Sequence, residues 1–206
     1  AVRKQWTNDT YNNLLSRVSS FNKLKRILAF CLRFIHNSKE TNPHRRSGPI
    51  TTEELSSASK IAIKLAQSDV FSDEHNVLSK GDSLRASNKL IALAPFLDND
   101  GLIRVGGRIN NSRLSFDMKH PILLPKEHKI TEIIARDEHL RQLHCGPQTL
   151  LYAIRQSYWP ISGRNLTRKI VHNCVTCFRA KPIQAEQQMG ILPPSRVNPA
   201  RSFLHT

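Results

Sequence analysis

Between residues 20 and 36, apolar positions fall at Phe21, Leu24, Leu28, Cys31 and Ile35, in steps of three and four, with Lys23, Lys25 and Arg26 mostly between them. That spacing predicts an amphipathic helix with one face on a core, and it places Cys31 on that face. The stretch from His36 to Pro49 is polar and contains the breakers Asn42-Pro43 and Gly48-Pro49, so it reads as a linker. Thr51 followed by Glu54 fits a capping box. Leu55, Ala58, Ala62 and Leu65 then form the stripe of a second helix.

From about residue 88 the period changes. Leu90 to Leu97 and Leu102 to Val105 are short apolar runs separated by the turn Asp98-Asn99-Asp100-Gly101, and Gly106-Gly107-Arg108-Ile109-Asn110-Asn111 closes the second run. A small hairpin or sheet is expected. The Gly106-Gly107 pair has neither of the glycine spacings that cradle phosphate. His120-Pro121-Ile122-Leu123-Leu124-Pro125 is a further extended segment.

After Pro125 the helical period returns. Ile130, Ile133, Ile134 and Leu140 define a helix over roughly 127–142. Gly146-Pro147 breaks it, with the proline well placed for the first turn of a next helix carrying Leu150, Leu151, Ile154 and Tyr158 as far as Trp159-Pro160. Ser162 is a candidate N-cap for a third helix with Leu166, Ile170 and Val171. Three short helices make a thin core, so a further brace is expected.

Charge narrows the function. The chain has 206 residues, 39% of them hydrophobic, and a net charge of +15. The excess is +5 over residues 1–100 and +10 over 101–206, and from His139 onward the only carboxylate side chain is Glu186. Such a surface attracts polyanions, nucleic acid first among them. The competing reading is a solvated basic face, or one that suits an acidic neighbour. The longest apolar runs, such as Ile27 to Phe30, fall far short of a membrane span, so no membrane partner is expected. No secretory signal is present, and the chain reads as intracellular.

The brace is expected to be zinc. His139 and His144 lie at the end of one helix, and Cys174-Val175-Thr176-Cys177 follows the third. Two imidazoles and two thiolates make a closed tetrahedral shell, which leaves no position for a reacting water; the zinc is structural. His128 and His172 are rival ligands, although His172 would crowd Cys174. Cys145, next to His144, is expected to point elsewhere. A redox role for the C-x-x-C pair would favour a helix N-terminus after a strand, which is not the pattern here.

At these residues the sequence resembles the zinc-binding N-terminal domain of retroelement integrases. The correspondence runs through His139, His144-Cys145-Gly146, Thr149-Leu150, Trp159-Pro160, Cys174-Val175-Thr176-Cys177 and Lys181. Upstream, Pro95-Phe96-Leu97-Asp98, then Gly101-Leu102-Ile103-Arg104-Val105-Gly106-Gly107-Arg108, and Lys119-His120-Pro121 look like the segment before the zinc domain in Bel/Pao-type retrotransposon polyproteins. The helix around Leu24 to Phe34 is similar to the connector that follows reverse transcriptase and RNase H there.

The resemblance implies an integrase, joining element DNA to host DNA by metal-assisted phosphoryl transfer on three carboxylates in a later domain. Residues 139–206 offer only Glu186, so the fragment itself is expected to be non-catalytic and part of a longer chain. The expected fold is mainly α with a small β element. Its parts are an N-terminal helical connector and linker (1–50), a helical segment (51–87) and a small strand or hairpin segment (88–125). A zinc-braced three-helix, helix-turn-helix-like domain (126–182) follows, then a linker (183–206) toward a catalytic core. Arg164, Arg168, Lys169, Arg179 and Lys181 are candidate phosphate contacts, against the alternative of an ordinary solvated face. Trp159 and Pro160 are assigned to the core. The implied setting is a homo-oligomer on DNA, in a cytoplasmic particle and the nucleus. The alternatives are a helix-turn-helix DNA binder of a host protein derived from a mobile element, and a zinc-stiffened protein-interaction module.

Overall fold

The computed structural model describes residues 8–39, 45–107, 111–182 and 189–198. Helices α2 (Phe21–Asn37) and α3 (Thr52–Val70) form as the apolar pattern predicts, α2 burying Phe21, Leu24 and Leu28 and α3 burying Ala58, Ala62, Ile63 and Ala66. Cys31 is only half-buried. The capping box is present: Glu54 N–H donates to Thr51 Oγ1 at 3.3 Å, and Thr51 N–H donates to Glu54 Oε2 at 2.9 Å.

A second role falls on Glu54. Arg33, buried on α2, grips its carboxylate with Nε at 2.9 Å and with a second, close contact from Nη2. The Arg33 bonds, then the Thr51 amide, hold the Glu54 carboxyl down to about 2 against burial. Arg33 also donates to the carbonyls of Gly48 and Pro49 at 2.6 and 2.9 Å, which pins residues 48–49 of the expected linker to α2. Residues 40–44 of that linker lie outside the described residues.

Helix α1 (Asn8–Arg17) goes beyond the sequence expectation, although Tyr11, Leu14, Leu15 and Val18 fall at the helical steps. It packs on the same core, and Tyr11 donates its hydroxyl to the Ala62 carbonyl at 2.7 Å. Helix α4 (Ser72–Ser79) follows α3 after the buried Phe71.

The hairpin is β1 (Pro95–Leu97) antiparallel to β2 (Ile103–Val105). Asp98 builds its turn by accepting from the Asp100 and Leu102 amides at 3.0 and 2.8 Å. The apolar run expected from Leu90 to Leu97 divides: Ile91–Leu93 is a 3₁₀ turn and Ala94 has φ +43°. Gly106 allows this. Its amide donates to the Ala94 carbonyl at 3.0 Å, and an added Cβ would lie 2.3 Å from that oxygen.

Strand β3 (Ile122–Leu124) pairs antiparallel with β2 and parallel with β4 (Tyr158–Pro160), for the order β1-β2-β3-β4. Along β3, Ile122 and Leu124 face the helical core, and Leu123 faces a second cluster with Phe71, Leu84, Leu90, Ile103 and Val105. The β2–β3 pairing is short. Gln67 of α3 reinforces it, donating to the carbonyls of Ile103 and Leu123 at 2.9 and 2.7 Å and accepting the Ile103 amide at 2.9 Å. On the other face of β2, Arg104 is buried against Asp98 at 2.5 Å and Asp117 at 2.8 Å. Asp117 lies on the short helix α5 (Phe116–Lys119).

The C-terminal helices are α6 (Lys129–Arg141), α7 (Pro147–Arg155), α8 (Gly163–His172) and α9 (Val175–Ala180). Helix α7 stops before Tyr158, which the periodicity assigns to it, because Tyr158–Pro160 is drawn into the sheet. Ile122 N–H donates to the Ser157 carbonyl, and Ile161 N–H to that of Leu124. Proline is tolerated there because β4 is the edge strand. Pro160 is buried and Trp159 packs on the second cluster, as expected for core residues. Ser162 sits at the α8 N-cap but in a left-handed conformation, φ +57°, without a side-chain cap bond. The entry to α8 depends on Gly163, where a Cβ would meet Leu151 at 2.8 Å and Pro160 at 3.0 Å.

Helix α6 serves two cores. Ile130, Ile133 and Ile134 join the cluster under α1, α2 and α3, whereas Ala135 joins Leu150, Ile154 and Ile170 in a small core among α6, α7 and α8. Tyr158 packs against both. Of the expected C-terminal linker, residues 189–198 are described and contain the short helix α10 (Pro194–Val197); the rest, Glu186 included, lies outside the described residues. Among the described residues, no helix is long and apolar enough to cross a membrane.

Candidate metal centre

Three helix ends meet at one point. His139 is the buried residue near the end of α6. The chain then turns back sharply: Leu143 and His144 both take positive φ, +51° and +64°, and the His144 amide donates to the His139 carbonyl at 3.0 Å. A left-handed residue other than glycine costs roughly 1–2 kcal/mol. Two in succession are held by what their side chains do, and Leu143, 87% exposed, packs on nothing that would hold them. The His144 ring supplies the reason, because the bend brings it against His139, ring planes perpendicular and centroids 5.0 Å apart.

The thiols arrive from the other side. Helix α8 ends at His172, and Cys174 is the N-cap of α9, with Cys177 in its first turn. This helix-terminal placement of the C-x-x-C pair is not anticipated by the sequence pattern, although a helix rather than a strand precedes it. His144 Nδ1 lies 3.3 Å from His139 Nε2 and 3.2 Å from Cys174 Sγ, and Cys177 Sγ lies 3.3 Å from His139 Nε2 and 3.9 Å from His144 Nδ1. All four ligand atoms lie within 4.8 Å of one another. A tetrahedron with zinc–nitrogen bonds near 2.05 Å and zinc–sulfur bonds near 2.3 Å has edges of about 3.3 to 3.8 Å. The four separations given above, 3.2 to 3.9 Å, lie close to that range.

The protonation chemistry agrees with metal binding. Burial opposes ionisation of Cys174, but the Cys177 amide and the side chains of His139, Cys177 and His144 outweigh it and bring the thiol down to about 6. Burial, then the neighbouring Cys174 thiolate, pushes Cys177 up. One thiolate is therefore ready near neutral pH, and the second proton leaves when a cation arrives. The four side chains hold a structural zinc ion in a closed shell, which braces α6, α8 and α9 and offers no ligand position to a substrate.

The rival ligands lie elsewhere. His128 caps the start of α6, accepting the Ile130 amide on Nδ1 at 3.2 Å, and His172 is exposed on α8. Cys145 packs against the small core of α6, α7 and α8. Residues 126–183 match the family model of the integrase zinc binding domain. Searches of curated proteins and of solved structures gave no match. The matched zinc-binding domain begins just after β3, so its own strand β4 is completed by a partner outside it.

The expected phosphate contacts fall in two groups. Arg164, Arg168 and Lys169 are exposed along α8, joined on the same surface by Asn165 and His172. Arg179 and Lys181 are exposed at the end of α9. Lys169 lies 3.2 Å from Glu132 of α6. Sequence reasoning passes over Asp137, two residues before the first ligand. Its carboxylate accepts from the Ser20 hydroxyl at 3.0 Å and the Asn22 amide at 3.1 Å, capping α2 from α6. A carboxylate on a helical pattern carries no sign of a partner more than a hundred residues away.

Proposed function

We infer that this chain is the N-terminal zinc-binding region of a Bel/Pao-type retrotransposon integrase, and that it holds the enzyme on the ends of the element's DNA. The match over residues 126–183 supports the family, and the upstream motifs support the type. The observation that carries DNA binding is the outer surface of α8. Its exposed positions read Arg164, Asn165, Arg168, Lys169 and His172, without a carboxylate, on the second helix of a helix-turn-helix-like pair whose far end is fixed by zinc. Such a helix presents guanidinium and ammonium groups to phosphates, which accept them bidentately or as point charges.

A second reading has its own support. Leu143, Val175 and Phe178 are exposed around the metal ligands, so the zinc end also suits a protein interface, either between copies of the chain or with another partner.

Fluorescence anisotropy with a labelled duplex tests the first reading. The zinc-loaded chain is expected to bind, and Arg164→Ala/Arg168→Ala/Lys169→Ala to bind at least about tenfold more weakly at moderate salt. His144→Ala is expected to lose the zinc and the binding together. Equal affinity of the triple variant and the parent would remove α8 from the interface. A concentration-dependent sedimentation coefficient without DNA binding would favour the second reading.

A further inference from the structure

One cleft adjoins the metal centre, with His139, His144 and Cys174 at its inner end, and its outer part belongs to no surface described so far. It has a volume of about 500 Å³ and lies between the α1–α2 turn, the length of α6 and the α8–α9 turn. Arg17 and Ser19 line it on one side, Lys129, Glu132 and Arg136 along α6, and Asn173 on the other side.

Its charges are unevenly matched. Arg17 and Arg136 are exposed and have no ion-pair or hydrogen-bond partner among the described residues. The carboxylate in the cleft, Glu132, is shared by Lys169 at 3.2 Å and Lys129 at 4.0 Å. Asp137, the next acidic residue on α6, is turned away to cap α2. The cleft therefore holds two uncommitted guanidinium groups beside hydroxyl and amide donors, a donor set that suits a phosphodiester.

The cleft is also continuous with α8. Asn173 lines both this cleft and the neighbouring hollow formed by Arg168 and Lys169, and the Lys169–Glu132 pair bridges α8 to α6 at the boundary.

We propose that the backbone of duplex DNA runs from the exposed surface of α8 into this cleft, where Arg17 and Arg136 clamp its phosphates. The α1–α2 turn is then part of the DNA footprint and supplies one wall of the cleft, with α6 and the α8–α9 turn of the zinc-binding domain supplying the rest. This rests on the DNA-binding reading of α8. It adds a contact from Arg17, which lies more than a hundred residues upstream of the matched segment.

The salt dependence of affinity reads the contacts directly, because each phosphate neutralised contributes about 0.9 to the slope of log K against log salt. On the zinc-loaded 206-residue chain, Arg17→Ala/Arg136→Ala is expected to reduce that slope by roughly 1.8. Over a roughly fourfold rise in salt, the loss of affinity then shrinks by about twelvefold relative to the parent. Arg17→Lys/Arg136→Lys keeps the charges and is expected to keep most of the slope. Zinc content and far-ultraviolet circular dichroism equal to the parent's show that each variant is folded. A slope unchanged by the double alanine variant, with the α8 triple variant reducing it, overturns the cleft and leaves the α8 reading standing. The reverse pattern removes α8 and overturns the proposed path, leaving only a phosphate contact in the cleft. Two unchanged slopes overturn both.

Discussion

His128 occupies a position usually given to serine, threonine or aspartate, and its chemistry makes the cap conditional. Nδ1 accepts the Ile130 amide, so it must be unprotonated, while Nε2 faces Asp69 of α3 at 3.8 Å. Burial lowers its pKa from the ordinary 6.5, with the Asp69 carboxylate opposing. The unfolded chain therefore binds a proton that the folded chain resists, and the folded state loses stability as pH falls below about 6.5. His128→Asn caps without titrating. The stability difference between the zinc-saturated parent and this variant, followed by chemical denaturation from pH 8 to 5, is expected to be constant above about pH 7 and to move against the parent below it. A difference that stays flat across this range would show that His128 is not the cap in solution. Glu54 acts in the same sense at lower pH: its depressed carboxyl contributes stability at neutral pH that is lost as pH falls from the ordinary 4.5 toward about 2.

At the scale of the element, the sheet depends on a side chain from outside it. Gln67 is fully buried and supplies hydrogen bonds where β2 and β3 are paired only briefly. Gln67→Leu keeps similar bulk but removes the acceptor for the Ile103 amide and the donor to two carbonyls. Orphaning one such buried group costs roughly 1–3 kcal/mol, so a clear fall in the denaturation midpoint is expected, with zinc content unchanged. The helices around the metal were legible because their apolar steps and the four ligand types are local signals. The same holds for the capping box at Thr51 and the hairpin turn at Asp98. Gln67 and Asp137 carry no comparable signal, because their partners are remote in the chain. Strand β4 was hidden for a related reason: Tyr158-Trp159-Pro160 has no alternation to read, and its extended shape comes from pairing with β3.

For the whole molecule, the zinc-binding domain and the N-terminal helices share parts. Helix α6 contributes Ile130, Ile133 and Ile134 to the upstream core, β4 pairs with β3, and Asp137 caps α2. A fragment of residues 126–182 keeps all four zinc ligands but exposes three isoleucines and an unpaired strand. Burying each such side chain is worth about 1.5–3 kcal/mol. The fragment is expected to bind zinc yet to melt well below the full chain and to self-associate, which thermal denaturation and light scattering would reveal. Equal melting temperatures would mean that the shared parts do not couple the two.

The β3–β4 pairing also gives the protein an optical signal. Trp159 lies in the middle of β4, with Arg155 over its ring at 4.3 Å and the second apolar cluster beside it. If β4 peels away from β3, that indole moves into water and its emission shifts to longer wavelength. Trp6 is the chain's other tryptophan, so a Trp6→Phe background would isolate the signal. The colour of one residue would then report, in real time, how tightly the two halves are seamed as zinc is added or removed.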